Sequence, residues 1–364
     1  MNALRKTKYL VLVMFAVWMF GCGDDTTKPP PPPAPPAVDM RMVSGLPDID
    51  VYNVFVDSQG RTWFSTEQGL AMAESDPTIV DSVYNDFDGI PNRKCRGVAE
   101  LNGKIFVGTW GNGIGFADDT AIYDANTPWS QLTVDDGLIS GRVYDIAVDD
   151  TSLWVATVAG ITQYVDNEAL EMEDRWIDHT DDTGTGVVTS ILFQVTPTRG
   201  PEVWFSEVIR DSLGVLLPGG VKFLGFPGFQ HFTTASSGIP SDDVNQVVYD
   251  PLNDLFWSAH VSNGIASVDV DSRVWSQMTM EDGLVSDLVT SIGINHLDDE
   301  WPAGTMWVGT PAGLSRIKPN GNISNYIKGS GMPTEQVRKI YVDRFDHVWV
   351  VFVENSVAMV RGGE

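Results

Sequence analysis

The sequence predicts an all-β protein, a seven-bladed β-propeller of four-stranded antiparallel blades closed by an N-terminal strand in the last blade. Two markers that recur at one period predict it: an aromatic hairpin motif, and a Gly-apolar turn followed by V-x-x-[VI] ahead of each copy. The hairpin is clearest in GTMWVGTPAGLSRI, Gly304 to Ile317, which spells a strand, a tight turn at Ala312-Gly313 and a second strand. Its relatives are TWFSTEQGLAMA, IFVGTWGNGIGFA, LWVATVAGITQY, VWFSEVIRDSLGVL, FWSAHVSNGIASV and VWVVFVENSVAMV. The register aromatics Trp63, Phe106, Trp154, Trp204, Trp257, Trp307 and Trp349 are spaced by 43, 48, 50, 53, 50 and 42 residues. The turn marker places Val51, Cys95, Val143, Val188, Val244, Val289 and Val337 at equivalent positions, with a degraded copy in the fourth repeat.

Each repeat holds short strands rich in Val, Ile, Trp and Tyr, bounded by Gly, Asn and Asp, with no useful amphipathic helical window. A sheet unit of this length buries neither face alone, so copies must stack around an axis. The V-x-x-I element is expected innermost, the Trp-x-x-Thr element second and the strand after Gly-Leu third. A more variable strand, such as 129–133 or 275–279, lies outermost. After Trp349 only a third strand, Val357 to Arg361, fits before Glu364. Val38 to Val43 is therefore expected to supply the missing outer strand and remove an exposed sheet edge.

The period also assigns residues that look chemical in isolation. Cys95 sits among Arg93, Lys94 and Arg96, yet it occupies the valine position of the other repeats and is expected to be a small core residue. Six of the twelve tryptophans fill one core register. Trp110 and Trp301 fall outside it and are candidates for stacking on a ligand. The Asp57 to Gly60 and Asp343 to Asp346 turns are expected to be hairpin chemistry in preference to calcium loops.

Ahead of the repeats lies a targeting pattern: Arg5, Lys6 and Lys8, an apolar run from Tyr9 to Phe20, then Gly21-Cys22. Residues 1–22 resemble a bacterial lipoprotein signal peptide, which implies cleavage before Cys22 and lipidation of its thiol. An ordinary secretory signal or an uncleaved anchor is the alternative. In lipoproteins of this resemblance Gly23, in place of aspartate, favours the outer membrane over inner-membrane retention. The prolines between Pro29 and Pro36 make residues 23–37 a polyproline stalk, about 3.1 Å per residue and roughly 25 Å long, ahead of a propeller spanning 38–364. These features predict a lipid-anchored protein of the bacterial cell envelope.

Lys and Arg number 23 against 49 Asp and Glu, a net charge of −26, so nucleic acid is a poor partner. With one of only two cysteines expected to carry lipid, Cys95 has no disulfide partner and the domain is held by apolar burial.

The repeat resembles the two-component regulator propeller repeat, whose consensus runs roughly GL-x-x-x-x-V-x-x-I-x-x-D-x-x-G-x-[LIV]-W-[IV]-G-T-x-x-GL. Gly331, Asp343, Trp307-Val308-Gly309-Thr310 and Gly313-Leu314 match its elements, and the resemblance covers Val38 to Glu364. It implies an extracytoplasmic propeller with a recognition role. In that family such propellers form the sensing part of membrane sensor kinases, but here neither a following transmembrane helix nor a kinase is seen. The partner expected is a protein or glycan ligand, with no cofactor.

In a stacked ring the starts of the innermost strands converge on one channel mouth, where polar groups from different blades surround a ligand. The candidate binding residues are Tyr52, Asn53, Arg96, Tyr144, Asp145, Asn245, Gln246, Arg338 and Lys339; Thr189-Ser190 and Thr290-Ser291 hold the same place. A wet channel mouth would be polar in any case. Replacing Arg96 or Arg338 by alanine is expected to weaken binding with little change in stability.

For catalysis, the five histidines His179, His231, His260, His296 and His347 show no metal-binding spacing, and no G-x-S-x-G elbow occurs. Glu207 and His260 replace the motif threonine in adjacent repeats. The VWFSE segment weakly resembles streptogramin-lyase propellers, which implies as an alternative a lyase or hydrolase using this pair with a divalent metal, magnesium in that family.

Overall fold

A computed structural model describes residues 38–48, 50–120, 122, 129–183, 186–210, 216–225, 228–269, 271–353 and 356–361. The expected signal peptide, Cys22 and the expected proline stalk lie outside the described residues. The described chain folds into seven four-stranded antiparallel sheets, each a blade. The innermost strands, in blade order, are Val51–Val56, Cys95–Leu101, Val143–Val148, Val187–Thr196, Val244–Asp250, Ser291–Ile294 and Val337–Val342. In six blades the strands run outward in sequence order, as the repeat requires, and in the seventh the outermost strand comes from the N-terminal side of the chain.

The motif residues explain the blade. In blade 6, Thr310 Oγ1 donates to the Gly313 carbonyl at 2.9 Å, and the same bond closes the hairpin at Thr66–Gly69 and Thr157–Gly160. Gly313 has φ +141, and a Cβ there would stand 2.5 Å from the Tyr326 carbonyl oxygen, so this position requires glycine. The turn carboxylates hold the register tryptophans. Trp63, Trp154 and Trp349 donate their indole N–H to Asp57, Asp149 and Asp343, each at 2.9 Å. Trp307 uses Asn295 at 2.8 Å in the same way. Asp57 also accepts from the Gln59 and Arg61 amides and from Arg61 Nε, so its turn is hairpin chemistry, as expected.

Packing lies between blades. The apolar core divides into seven clusters, and each joins two neighbouring blades. One of them sets Trp63, Leu70 and Met72 of blade 1 against Cys95, Val98 and Ile105 of blade 2. Of the register aromatics only Trp257 is half-buried; Phe256 beside it is buried in the cluster between blades 4 and 5. Removing a fully buried member such as Trp63 should cost about 3–5 kcal/mol.

The ring closes as the sequence predicts. The N-terminal strand Asp39–Met42 pairs with Val357–Arg361 to complete blade 7, with Met40 opposite Val360. A further cluster seals this junction by packing Val51, Phe64 and Ala71 of blade 1 against Trp349, Val351 and Val357 of blade 7.

Candidate functional site at the channel mouth

Six innermost strands carry a β-bulge at their first residues, between Val51 and Asn53, Cys95 and Val98, Val143 and Asp145, Val188 and Ser190, Val244 and Gln246, and Val337 and Lys339. A bulge sets two residues against one on the neighbouring strand. In four of these strands it leaves two consecutive polar side chains half-exposed between buried apolar ones, as in Val51, Tyr52, Asn53, Val54; in the other two Arg96 and Thr189 are half-exposed and Gly97 and Ser190 are buried. The repeat spacing had located these pairs but not the bulge that turns them.

Two short side chains at the first polar position reach sideways: Asn245 Nδ2 donates to the Val289 carbonyl at 2.8 Å and Thr290 Oγ1 to the Val337 carbonyl at 2.9 Å, in each case on the next blade. A third, Thr189, meets Ser206 of its own blade at 3.1 Å and stays in the cavity wall. At the second polar position, Asp145 accepts from Ile191 N (3.4 Å), Gln246 from Ile292 N (3.1 Å) and Ser291 from Ile340 N (2.9 Å), again one blade on. Part of the polar ring is therefore a belt tying blade to blade. Long side chains overshoot the belt and enter a cavity of about 470 Å³.

Of the nine candidates, Tyr52, Asn53, Arg96, Tyr144, Asp145, Gln246, Arg338 and Lys339 line this cavity. Asn245 does not, because its short amide is held in the belt. Trp110, Thr189, Ser190 and Tyr341 complete the polar and aromatic lining. Trp110 enters from the hairpin turn after Thr109, which is why no period marks it. Its ring meets Tyr144 edge-on at 4.7 Å. The Arg96 guanidinium carbon lies 3.5 Å from the Tyr52 ring centre and 5.1 Å from that of Trp110, while Nη2 reaches Glu67 at 3.2 Å. Arg338 pairs with Asp50 at 2.7 Å. Tyr341 donates its phenol to the Tyr52 carbonyl across the blade 7–blade 1 junction.

The electrostatics follow from depth. Burial pushes the Asp145 carboxyl up to about 6, against the pull of Lys339 and two backbone N–H groups. Burial likewise lowers the Lys339 ammonium, although Asp145 opposes the shift. Burial would raise Glu67, but hydrogen bonds and charge from Lys94 and Arg96 outweigh it and hold it below its ordinary value.

The other candidates have different fates. Trp301 is buried, edge-on to Trp307 at 4.9 Å and under the Arg316 guanidinium, so it is core and presents no face to a ligand. Cys95 is fully buried and its thiol is raised by desolvation, which fits a core residue. Glu207 forms a buried ion pair with Lys222 of its own blade. His260 is buried in the next blade, 2.9 Å from Ser258 Oγ, with its pKa lowered by burial to about 4. Among the described residues no group of three or more His, Cys, Asp or Glu is arranged to hold a metal ion. The pair therefore does not fit the metal that a lyase of this kind implies.

The two component regulator propeller family matches residues 45–68, the first turn, the inner strand and the strand that carries Trp63. No curated protein matches the chain by sequence. Among solved structures, the fold is similar to an extracellular domain assigned to a hybrid two component system of B. thetaiotaomicron, with a TM-score of 0.66 and 16% identity over 90% of this chain. The match spans 42% of that protein chain. PorZ, a bacterial surface component of the type-IX secretion system of P. gingivalis, is similar over 86% of this chain and 47% of its own, at 13% identity and a TM-score of 0.62. Virginiamycin B lyase of S. aureus is similar over 89% of this chain and 98% of its own, at 12% identity and a TM-score of 0.61. At these identities the likeness is one of fold. The chain is a seven-bladed β-propeller whose first repeat, at residues 45–68, matches the two component regulator propeller family.

Proposed function

We propose that the chain is a non-catalytic lipoprotein of the bacterial envelope whose propeller recognises a protein or glycan ligand at this channel mouth. One observation carries the site: Tyr52, Arg96, Tyr144 and Arg338, from separate blades, reach past the inter-blade belt into one cavity with Trp110. Aromatic faces beside fixed cations and amides are the usual composition of a recognition site. Extracellular and surface proteins among the structural neighbours accord with an exported address. The basic, apolar and Gly21-Cys22 sequence at the N-terminus supports lipid anchoring, with the outer membrane as destination. No helix among the described residues is long and apolar enough to cross a membrane.

The test is affinity capture from the native envelope with the lipidated full-length chain, in parallel with Trp110→Ala and Tyr144→Ala forms of equal thermal stability. A ligand recovered by the native chain and lost from both variants supports the site. A ligand retained by both variants overturns it. Radiolabelled fatty acid should enter the native chain and not Cys22→Ala; equal labelling would end the lipoprotein assignment.

A further inference from the structure

The cavity differs in charge from the chain that forms it. The protein carries more than twice as many acidic as basic residues, 49 against 23. Among the residues lining the cavity the balance is inverted: Arg96, Arg338 and Lys339 are basic and Asp145 alone is acidic. A surface of one sign with a concave patch of the other focuses field into that patch.

Of the counter-charges only Asp145 stands inside the cavity, and it offsets one of the three cations. Glu67 and Asp50 hold one nitrogen each of Arg96 and Arg338, at 3.2 and 2.7 Å, and neither carboxylate lines the cavity. A guanidinium has five N–H donors, so both arginines keep donors for a ligand. Asp145 has its oxygens engaged by the Ile146 and Ile191 amides. Lys339 stands 5.9 Å from the Tyr341 ring centre, and no described residue accepts a hydrogen bond from its ammonium. A partly desolvated ammonium without an acceptor is costly, and an incoming anion would relieve that cost. Beside the cations, Trp110 and Tyr144 present an aromatic corner able to pack a ring.

We propose that the cavity takes a compact ring-bearing carboxylate, its charge set among Arg96, Arg338 and Lys339 and its ring against Trp110 and Tyr144. The proposal rests on the channel mouth being the binding site. At about 470 Å³ the cavity has the size of sites that enclose a small organic molecule. A sugar acid and an aromatic acid share the required chemistry.

Isothermal titration of the full-length chain in detergent with two matched pairs distinguishes them: digalacturonate against its dimethyl ester, and 4-hydroxyphenylacetate against its methyl ester. At least one acid should bind roughly tenfold or more tightly than its ester, and the pair that shows it identifies the source. The preference should disappear in Arg338→Ala and in Lys339→Met, each checked for an unchanged unfolding midpoint. Acid and ester bound equally, with both weakened by Trp110→Ala, would overturn the carboxylate while leaving the channel mouth as the site. Acid binding unaffected by all three substitutions would place it elsewhere and overturn both. No binding of either acid at millimolar concentration would also overturn the carboxylate.

Discussion

Phe64 of blade 1 meets Trp349 of blade 7 edge-on, with ring centres 5.6 Å apart, so one buried aromatic contact joins the first and last repeats of the ring. The strand Asp39–Met42 covers the outer edge of the same blade. Deleting residues 38–43 removes the buried Val38 side chain and the whole outer ladder of blade 7, and bares the edge of Val357–Arg361. A loss of about 3 kcal/mol or more is expected from the apolar burial and hydrogen bonds involved. The exposed edge should also pair between molecules. Denaturant unfolding and size-exclusion chromatography would show both effects; an unchanged midpoint with a monomeric profile would contradict this account of closure.

Asp57 is a second point of high leverage. Its carboxylate is fully buried, accepts Arg61 Nε at 2.6 Å and the Trp63 indole at 2.9 Å, and Arg61 itself is only 2% exposed. Asp57→Ala removes the carboxylate paired with the buried Arg61 guanidinium, which still donates to the Asp119 carbonyl, and a loss of about 3–5 kcal/mol follows. Asp57→Ala with Arg61→Met should lose less than the single change, because the guanidinium that Asp57 paired with is gone as well. If the double variant is no more stable than Asp57→Ala in urea titrations, the cost does not come from breaking the Asp57–Arg61 pair.

Two desolvated groups set opposite slopes of stability against pH. Burial lowers His260 to about 4, below its unfolded value, so its contribution is complete above about 6.5 and is lost as pH falls towards 4. Asp145 is raised by burial to about 6, so its contribution is present below about 4 and is lost as pH rises through 6. His260→Gln should therefore narrow the stability difference between pH 7 and pH 4.5 in the direction of greater acid tolerance, and Asp145→Asn should do the reverse. Parallel pH profiles for the native chain and both variants would refute these assignments.

The architecture was legible because a blade repeats its physics. The Trp-x-x-Thr-x-x-Gly-Leu pattern encodes an indole held by a turn carboxylate, a hydroxyl closing a hairpin and a glycine with positive φ, and each recurs in several repeats. The site was legible only in part. Tyr52, Arg96, Tyr144 and Arg338 could be placed from register, but Asn245 holds an equivalent position and turns away, since its reach ends at the neighbouring carbonyl. Trp110 carries no register signal, because it lies in a turn outside the period. The bulges that aim the whole ring leave no mark in composition, since one extra residue in a ladder is defined only by the pairing across it.

The two cavity arginines should separate in stability, although their positions in the repeat are equivalent. Arg338 and its partner Asp50 keep 29% and 38% of their side-chain surface exposed, and an ion pair so open to water is worth about 0–1 kcal/mol. Arg96 is 12% exposed, donates to the Cys95 carbonyl at 3.0 Å and covers the Tyr52 ring at 3.5 Å. Truncating it removes a desolvated cation–π contact and leaves Glu67 with Lys94 as its remaining charge partner, a loss of about 1–2 kcal/mol. Arg338→Ala is therefore the cleaner probe of binding, and Arg96→Ala will lower the unfolding midpoint as well as affinity. Equal midpoints for the two variants would mean that the Arg96–Tyr52 stack contributes nothing to the fold, and that its rigid placement at the cavity wall is not what positions the ring of Tyr52.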